Sequence, residues 1–432
     1  MDAKRRRWLL AASAGAGLAA LAGWRRAAPD GVFNPCLGPL PADLAGHPVV
    51  RAAWTDLDPT RVWDMHGHFF AGGAGGGLDD GHGTPRWPLA ALQRTFFANA
   101  ACIDGEVSDD ALADAYLARL DRLLEAMPPG FRVLLLALDA YHDESGRRRP
   151  DRTHVWTSNE VCAQAAHSRP GRLEWAASIH PYRADAVAEL ARLRALGARA
   201  VKWIPTAQGI DPASSRCDPF FAALARSGMP LITHAGTERA APGDDELGNP
   251  LRLRRALDHG VRVVVAHCAT MGRGQDLDRY PDSNSGAATV DNFQLFERLM
   301  DEPRYLGRLF GDLAALPQSA RAGPPLRRIL QRGAAGGDWS GRLLSGSDYP
   351  LPGIPPLYDP ARLAADGLLD PTTVAPLLAI RRHNPLLFDF VLKRHLRADG
   401  RHLANSVFET RDFFLGPAEA AFQDNSAASR AW

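Results

Sequence analysis

Short apolar runs alternate with longer amphipathic stretches from about residue 61 onward. Eight of the runs predict strands: 61–64, 132–138, 175–179, 199–204, 230–233, 261–266, 309–312 and 342–346. Between them, 184–196 and 220–226 carry apolar residues at helical spacing. Another helix is predicted to start near Val107–Asp110, with Ser108 or Asp109 as its N-cap.

Strand and helix in alternation predict an α/β fold with a parallel sheet. Eight such units suit a (β/α)8 TIM barrel; a doubly wound open sheet is the competitor. The barrel is placed at residues 60–390. Residues 29–59, rich in Pro and Gly, read as an extended lead-in, and 391–432 as a C-terminal extension of helix and coil. Long loops at 72–105, 236–250 and 268–290 all follow strands, which puts them on the face where barrel enzymes keep their sites.

The first residues follow a different pattern. Lys4-Arg5-Arg6-Arg7-Trp8-Leu9-Leu10 precedes a run of small apolar residues ending near Gly23. It resembles a twin-arginine export signal, with Ala20-Leu21-Ala22 as a cleavage site. An uncleaved inner-membrane anchor is the alternative. Residues 1–28 are therefore set apart from the fold, and a periplasmic location is expected. The membrane would then be touched only through this segment.

Composition narrows the function. A net charge of +1 gives no basic footprint for nucleic acid. Five scattered cysteines, with no Cys-x-x-Cys, exclude a thiolate metal site and a full disulfide framework. Of the 50 Lys and Arg residues, only Lys4, Lys202 and Lys393 are lysines. A lysine kept inside an apolar strand of such a chain needs a reason that arginine cannot meet.

The strand ends carry the candidate chemistry. The first gives His66 and His68, which face the same way because strand side chains alternate. The fourth gives Lys202, the fifth His234, the sixth His267 and the eighth Asp348. Lys202, His234 and His267 follow one another at intervals of 32 and 33 residues, about one βα unit each. Each residue alone has a structural explanation. Together they predict a divalent-metal site of one or two ions, zinc being the expected metal. A buried lysine is costly unless neutral or paired. A neutral amine can react with carbon dioxide to give a carbamate, a carboxylate able to bridge two metals; a salt-bridged lysine is the alternative.

His-x-His after strand 1, Lys after strand 4, His after strands 5 and 6 and Asp after strand 8 resemble the amidohydrolase superfamily. Val201-Lys202-Trp203-Ile204-Pro205, Ile210-Asp211-Pro212 and Asn384-Pro385 resemble its amidohydrolase-related branch. The resemblance covers about residues 60–390. It implies a barrel, divalent metals, often zinc, and hydrolysis of amide, lactone or ester-like bonds by a metal-activated hydroxide. By position, His66, His68 and Asp348 would hold one metal, His234 and His267 the second, and carbamylated Lys202 would bridge them. Asp348 would also shuttle the proton. The branch includes single-metal decarboxylases lacking the strand-4 lysine. That is the rival chemistry, with an exported binding protein that retains a vestigial metal site as a third reading. Trp203, Tyr141, His180 and Arg273 are the candidates to touch a small-molecule substrate. A homo-oligomer is compatible with the sequence. Gly72–Gly77 has no following Lys-Ser/Thr and is not a phosphate loop.

Overall fold

A computed structural model of the protein describes residues 31–72, 76–77, 90–103, 107–239, 241–280 and 288–415. The export-signal segment lies outside the described residues. Among these residues no helix is long and apolar enough to cross a membrane.

Eight parallel strands form the centre: β1 (Trp63–His68), β2 (Arg132–Leu136), β3 (Leu173–Ala176), β4 (Val201–Trp203), β5 (Leu231–His234), β6 (Val263–Ala266), β7 (Leu309–Asp312) and β8 (Leu343–Leu344). The order β1-β2-β3 is one ladder and β4-β5-β6-β7-β8 another. Parallel bridges join the two, Ala177 to Val201 on one side and Gly67 to Tyr349 on the other. The sheet therefore closes, and the open-sheet alternative falls. Helices follow the strands, among them Asn159–Ser168, Ala186–Ala195, Asp218–Ser227, Asn292–Met300 and Pro324–Gly333.

Several boundaries differ from the pattern reading. β1 does not stop at Asp64; it runs to His68, because the backbone after β8 pairs with it (Asp348 N to His66 O, 2.8 Å; His68 N to Tyr349 O, 2.8 Å). The lead-in is not wholly extended: it holds helices Ala42–Ala45 and Pro48–Trp54, and Trp54 stacks on Phe390 at 4.1 Å. The 72–105 stretch contains helix Ala90–Ala100, and 268–290 contains Arg273–Gln275, one strand of a ribbon whose partner is Thr289–Asp291. Neither Ser108 nor Asp109 caps helix Leu112–Glu125. A 3-10 turn at Asp109–Ala111 leads into that helix.

The barrel interior is layered. Trp63, Met65, Leu134, Ala200, Ile232, Val264, Phe310 and Leu344 form an apolar floor. Phe414 and Leu415 close it from below, with Phe414 stacked on Trp63 and Thr410 Oγ1 donating to Trp63 O at 2.6 Å. Two residues further along β4, β5 and β7, on the same inward parity, stand Lys202, His234 and Asp312.

Cys36 and Cys102 form a disulfide. Cys162, Cys217 and Cys268 are buried thiols.

Candidate metal centre

Alternation along β1 poses a problem. Trp63 and Met65 face the floor, so an unbroken strand would turn His66 and His68 outward. A β-bulge resolves it. Asp64 pairs with Val133 and Gly67 with Leu135, so Met65 and His66 together oppose Leu134 alone. Both then face inward, and His68 follows. Asp64 braces the bulge: its Oδ1 accepts from His66 N at 3.1 Å and from Ser347 N at 2.7 Å. Burial pushes the Asp64 carboxyl up to about 6, against the hydrogen bonds from Ser347 and His66. Gly346 is required beside it, since a Cβ there would lie 2.6 Å from His66 Cβ. Lys393, the third lysine, donates to Gly346 O and to Asp389 Oδ2, each at 2.5 Å, and so holds the same segment from beneath.

Around this corner the strand ends converge. His68 Nε2 lies 3.0 Å and His66 Nε2 3.5 Å from Asp348 Oδ1, and His267 Nε2 3.9 Å from Asp348 Oδ2. Lys202 Nζ is 3.2 Å from His66 Nε2. The His267 ring sits 5.2 Å from that of His66 and 5.4 Å from that of His234. The six residues predicted as ligands thus meet at one place. Two sets, His66–His68–Asp348 and His66–His267–Asp312, have donor atoms within 4.8 Å of one another.

The backbone works to aim them. His267, Cys268 and Ala269 take φ of 54°, 48° and 51° in succession, and Asp348 takes 63°. For non-glycine residues this left-handed conformation costs about 1–2 kcal/mol each, a strain typical of functional sites. His267 Nδ1 is 2.8 Å from Ala314 O, which as N–H donor leaves Nε2 toward the cluster.

The protonation states suit a metal. Burial lowers the pKa of His66, takes His234 down to about 4 and holds His267 well below its ordinary value. All three are neutral near pH 7, the form that ligates. Burial likewise lowers Lys202. At Asp348 burial acts to raise the pKa, but facing His267 and His66 and the bond from His68 outweigh it, and the group stays a carboxylate. His234 is the most direct sign of a missing partner: it is buried and neither ring nitrogen makes a hydrogen bond among the described residues. Glu238 Oε2 lies 3.2 Å from its Nε2. A buried imidazole without a well-formed hydrogen bond, beside neutral histidines and carboxylates, fits a divalent cation.

Two contributors were not singled out in the sequence. Asp312 Oδ2 lies 2.6 Å from His66 Nδ1, fixing the tautomer that presents Nε2 inward, a carboxylate–histidine arrangement common behind metal ligands. Its place at the end of β7, on the parity of Lys202 and His234, was the available signal. Glu238 lies on a loop, where no periodicity points to it.

The four substrate candidates do not join the cluster. Trp203 points the opposite way from Lys202; fully buried, it stacks on Phe220 at 5.5 Å and donates its indole N–H to Ile179 O. His180 is buried with Nε2 3.0 Å from Gln208 O and Nδ1 accepting from Tyr182 N, so both nitrogens are spent in packing. Arg273 is exposed and bound to Asp291 and to Thr289 O across its ribbon. Tyr141 lies under the Arg152 guanidinium and lines a cavity of about 700 Å³ that none of the six ligand candidates lines.

A family model for amidohydrolases matches residues 63–379. The chain belongs to the amidohydrolase family, in its amidohydrolase 2 branch. The match spans every strand of the barrel and its converging His, Lys and Asp residues, so the protein is an enzyme of that superfamily. The chain matches none of the curated proteins. Among solved structures, it is similar to an uncharacterised TIM-barrel protein from Bordetella bronchiseptica, at 17% identity and TM-score 0.44 over 68% of this chain and 88% of that one. It is also similar to the IDCase of Metarhizium anisopliae, at 13% and 0.45 over 84% and 98%. A third is 5-carboxyvanillate decarboxylase from Sphingomonas paucimobilis, at 12% and 0.36 over 75% and 97%. Likenesses this distant carry no argument about activity.

Proposed function

We propose that this amidohydrolase hydrolyses an amide, lactone or ester-like bond at a metal centre held by His66, His68, His234, His267 and Asp348, with Lys202 between them. The observation that carries the reading is Lys202, 1% exposed, at 3.2 Å from His66 Nε2 and surrounded by metal-ligating residue types. A bound divalent ion, zinc by ligand type, polarises a carbonyl and lowers the pKa of water. The chain's own residues do the rest. Burial lowers the pKa of the Lys202 amine and so favours its neutral, nucleophilic form. Its nitrogen can bond to the carbon of carbon dioxide and release one proton, giving a carbamate. Asp312 holds the His66 ring, and Ala314 O the His267 ring, so neither must reorganise during reaction. Asp348, ionised and within reach of three histidines, accepts the proton of the attacking water and returns it to the leaving group.

A single-metal decarboxylase is the second reading. Lys202 argues against it, because the single-metal decarboxylases that the resemblance brings in lack a lysine at the end of the fourth strand. Metal analysis of the purified protein beside Lys202→Arg separates the two. Loss of about half the bound metal supports the lysine-bridged pair; unchanged metal, together with carbon dioxide release from a candidate acid, overturns it.

Export from the cytoplasm is part of the same proposal. The Arg5–Arg7 segment supports it, and the Cys36–Cys102 disulfide suits an oxidising compartment. A small-molecule substrate is the partner proposed.

A further inference from the structure

Buried guanidinium groups in this protein are generally fixed by backbone oxygens. Arg342 donates to Leu309 O and Met300 O, and Arg381 to Pro355 O and Tyr358 O. Arg321 is the exception beside the metal centre. It lies on the loop after β7, 9% exposed, and forms no ion pair with any described residue. Its one side-chain hydrogen bond is a long one, 3.4 Å, from Nη1 to Thr270 Oγ1, and that hydroxyl already donates to His267 O. Its Nε has no partner. Thr270 Oγ1 links the guanidinium to His267 O, which places Arg321 at the wall of the metal site beside the His267 turn.

Two further donors stand there unused. Gln318 and Tyr358 pair across an antiparallel bridge that joins the loop after β7 to the loop after β8. Both are buried and their side chains meet each other, but neither the Gln318 Nε2 nor the Tyr358 hydroxyl makes a well-formed hydrogen bond among the described residues. An unpaired buried cation is costly, and so is each orphaned neutral donor. Single orphaned donors occur elsewhere, at the Trp63, Trp175 and Trp339 indoles, whereas here three lie on one wall and one of them is a guanidinium. They are donors without an acceptor. The metals would bring further positive charge, so a metal cannot be what they await. A planar acceptor carrying negative charge would satisfy them, and a guanidinium fork fits a carboxylate.

We infer that Arg321, with Gln318 and Tyr358, binds a carboxylate group carried by the substrate, apart from the bond that reacts. This rests on the metal-centre reading and adds the substrate class: a carboxylic acid whose hydrolysable bond reaches the metals while its carboxylate lies against the β7–β8 wall. Arg321 sets specificity and leaves the chemistry to the cluster.

The test uses the full chain as purified, with bound metal measured in every sample. Benzoate, its neutral counterpart benzamide, and inorganic phosphate are titrated calorimetrically. Wild type is expected to bind benzoate at least tenfold tighter than benzamide and no weaker than phosphate. Arg321→Gln is expected to erase that preference with metal content unchanged, and Tyr358→Phe to weaken benzoate about threefold. Should Arg321→Gln not fold, Arg321→Lys serves: it keeps the charge, loses the fork and is expected to weaken benzoate about tenfold. The inference is overturned by equal binding of benzoate and benzamide to wild type. It is overturned equally by a folded Arg321 variant that keeps the preference, or by phosphate binding tighter than benzoate. Absence of metal from wild type is a separate result and would count against the metal-centre reading itself.

Discussion

The floor of the barrel and the ring of residues just above it are built on the same strands and the same inward parity. Ala200 immediately precedes β4, which carries Lys202, while Ile232 and His234 share β5 and Phe310 and Asp312 share β7. Two residues along each strand, the chemistry inverts. The floor is held by packing: apolar side chains interlock, and Phe414 and Leu415 seal the bottom, with the Trp63 indole N–H its one unpartnered polar group among the described residues. The ring is not. It leaves His234 without a hydrogen bond, holds Lys202 buried with an imidazole for company, and places His267–Ala269 and Asp348 in a left-handed backbone. The lesson is a division of labour within one interior, in which the floor supplies stability and the ring spends some of it on chemistry.

That division can be broken from either side. The largest effect is expected at the ring. Asp348→Asn should lower turnover by at least about 100-fold, the scale of lost acid–base catalysis, while most of the metal stays bound; steady-state kinetics beside metal analysis checks both. At the floor the signs reverse. Phe414→Ala should cost about 3 kcal/mol of stability in a denaturant titration, as other large-to-small core changes do, yet leave bound metal per folded chain unchanged. If it empties the centre, the two layers are coupled and the division fails.

A smaller effect is expected from pH. Burial lowers His234 to about 4, below the value of about 6.5 in an unfolded chain. The unfolded state therefore takes up the proton first as pH falls. Stability from this group is whole above pH 6.5 and is lost as pH falls toward 4. Melting of the metal-free protein should decline across that window, and His234→Gln should flatten the decline. An equal decline in the variant would show that other groups carry it.

The sequence made the barrel legible because each strand is a short apolar run and each ligand type recurs one βα unit later. Lys202, His234 and His267 were visible by spacing, His66 and His68 as a His-x-His pair at a strand end, and Asp348 by its place after the eighth strand. What spacing could not show is how β1 serves both layers, since a bulge at Met65–His66 is a pairing event and leaves no periodic trace. The strained turn at His267–Ala269 is invisible for the same reason. Trp203 misled because its neighbour Lys202 was read as a rim position without following the alternation one step further. Asp312 was missed although it sits on that alternation. The scarcity of lysine proved informative twice over: Lys202 stands in the ring, and Lys393 holds the β8 segment that carries Asp348. Arg321, Gln318 and Glu238 lie on loops, where only the folded chain brings them to the site.

The central claim is that the inner ring is a metal centre. Anomalous diffraction from crystals of the metal-replete protein, collected at the absorption edge of the metal found by elemental analysis, tests it most directly. The account predicts strong anomalous density within ligand distance of His66 Nε2 and His68 Nε2, beside Asp348. Metal-replete crystals with no anomalous density among those three residues would contradict it.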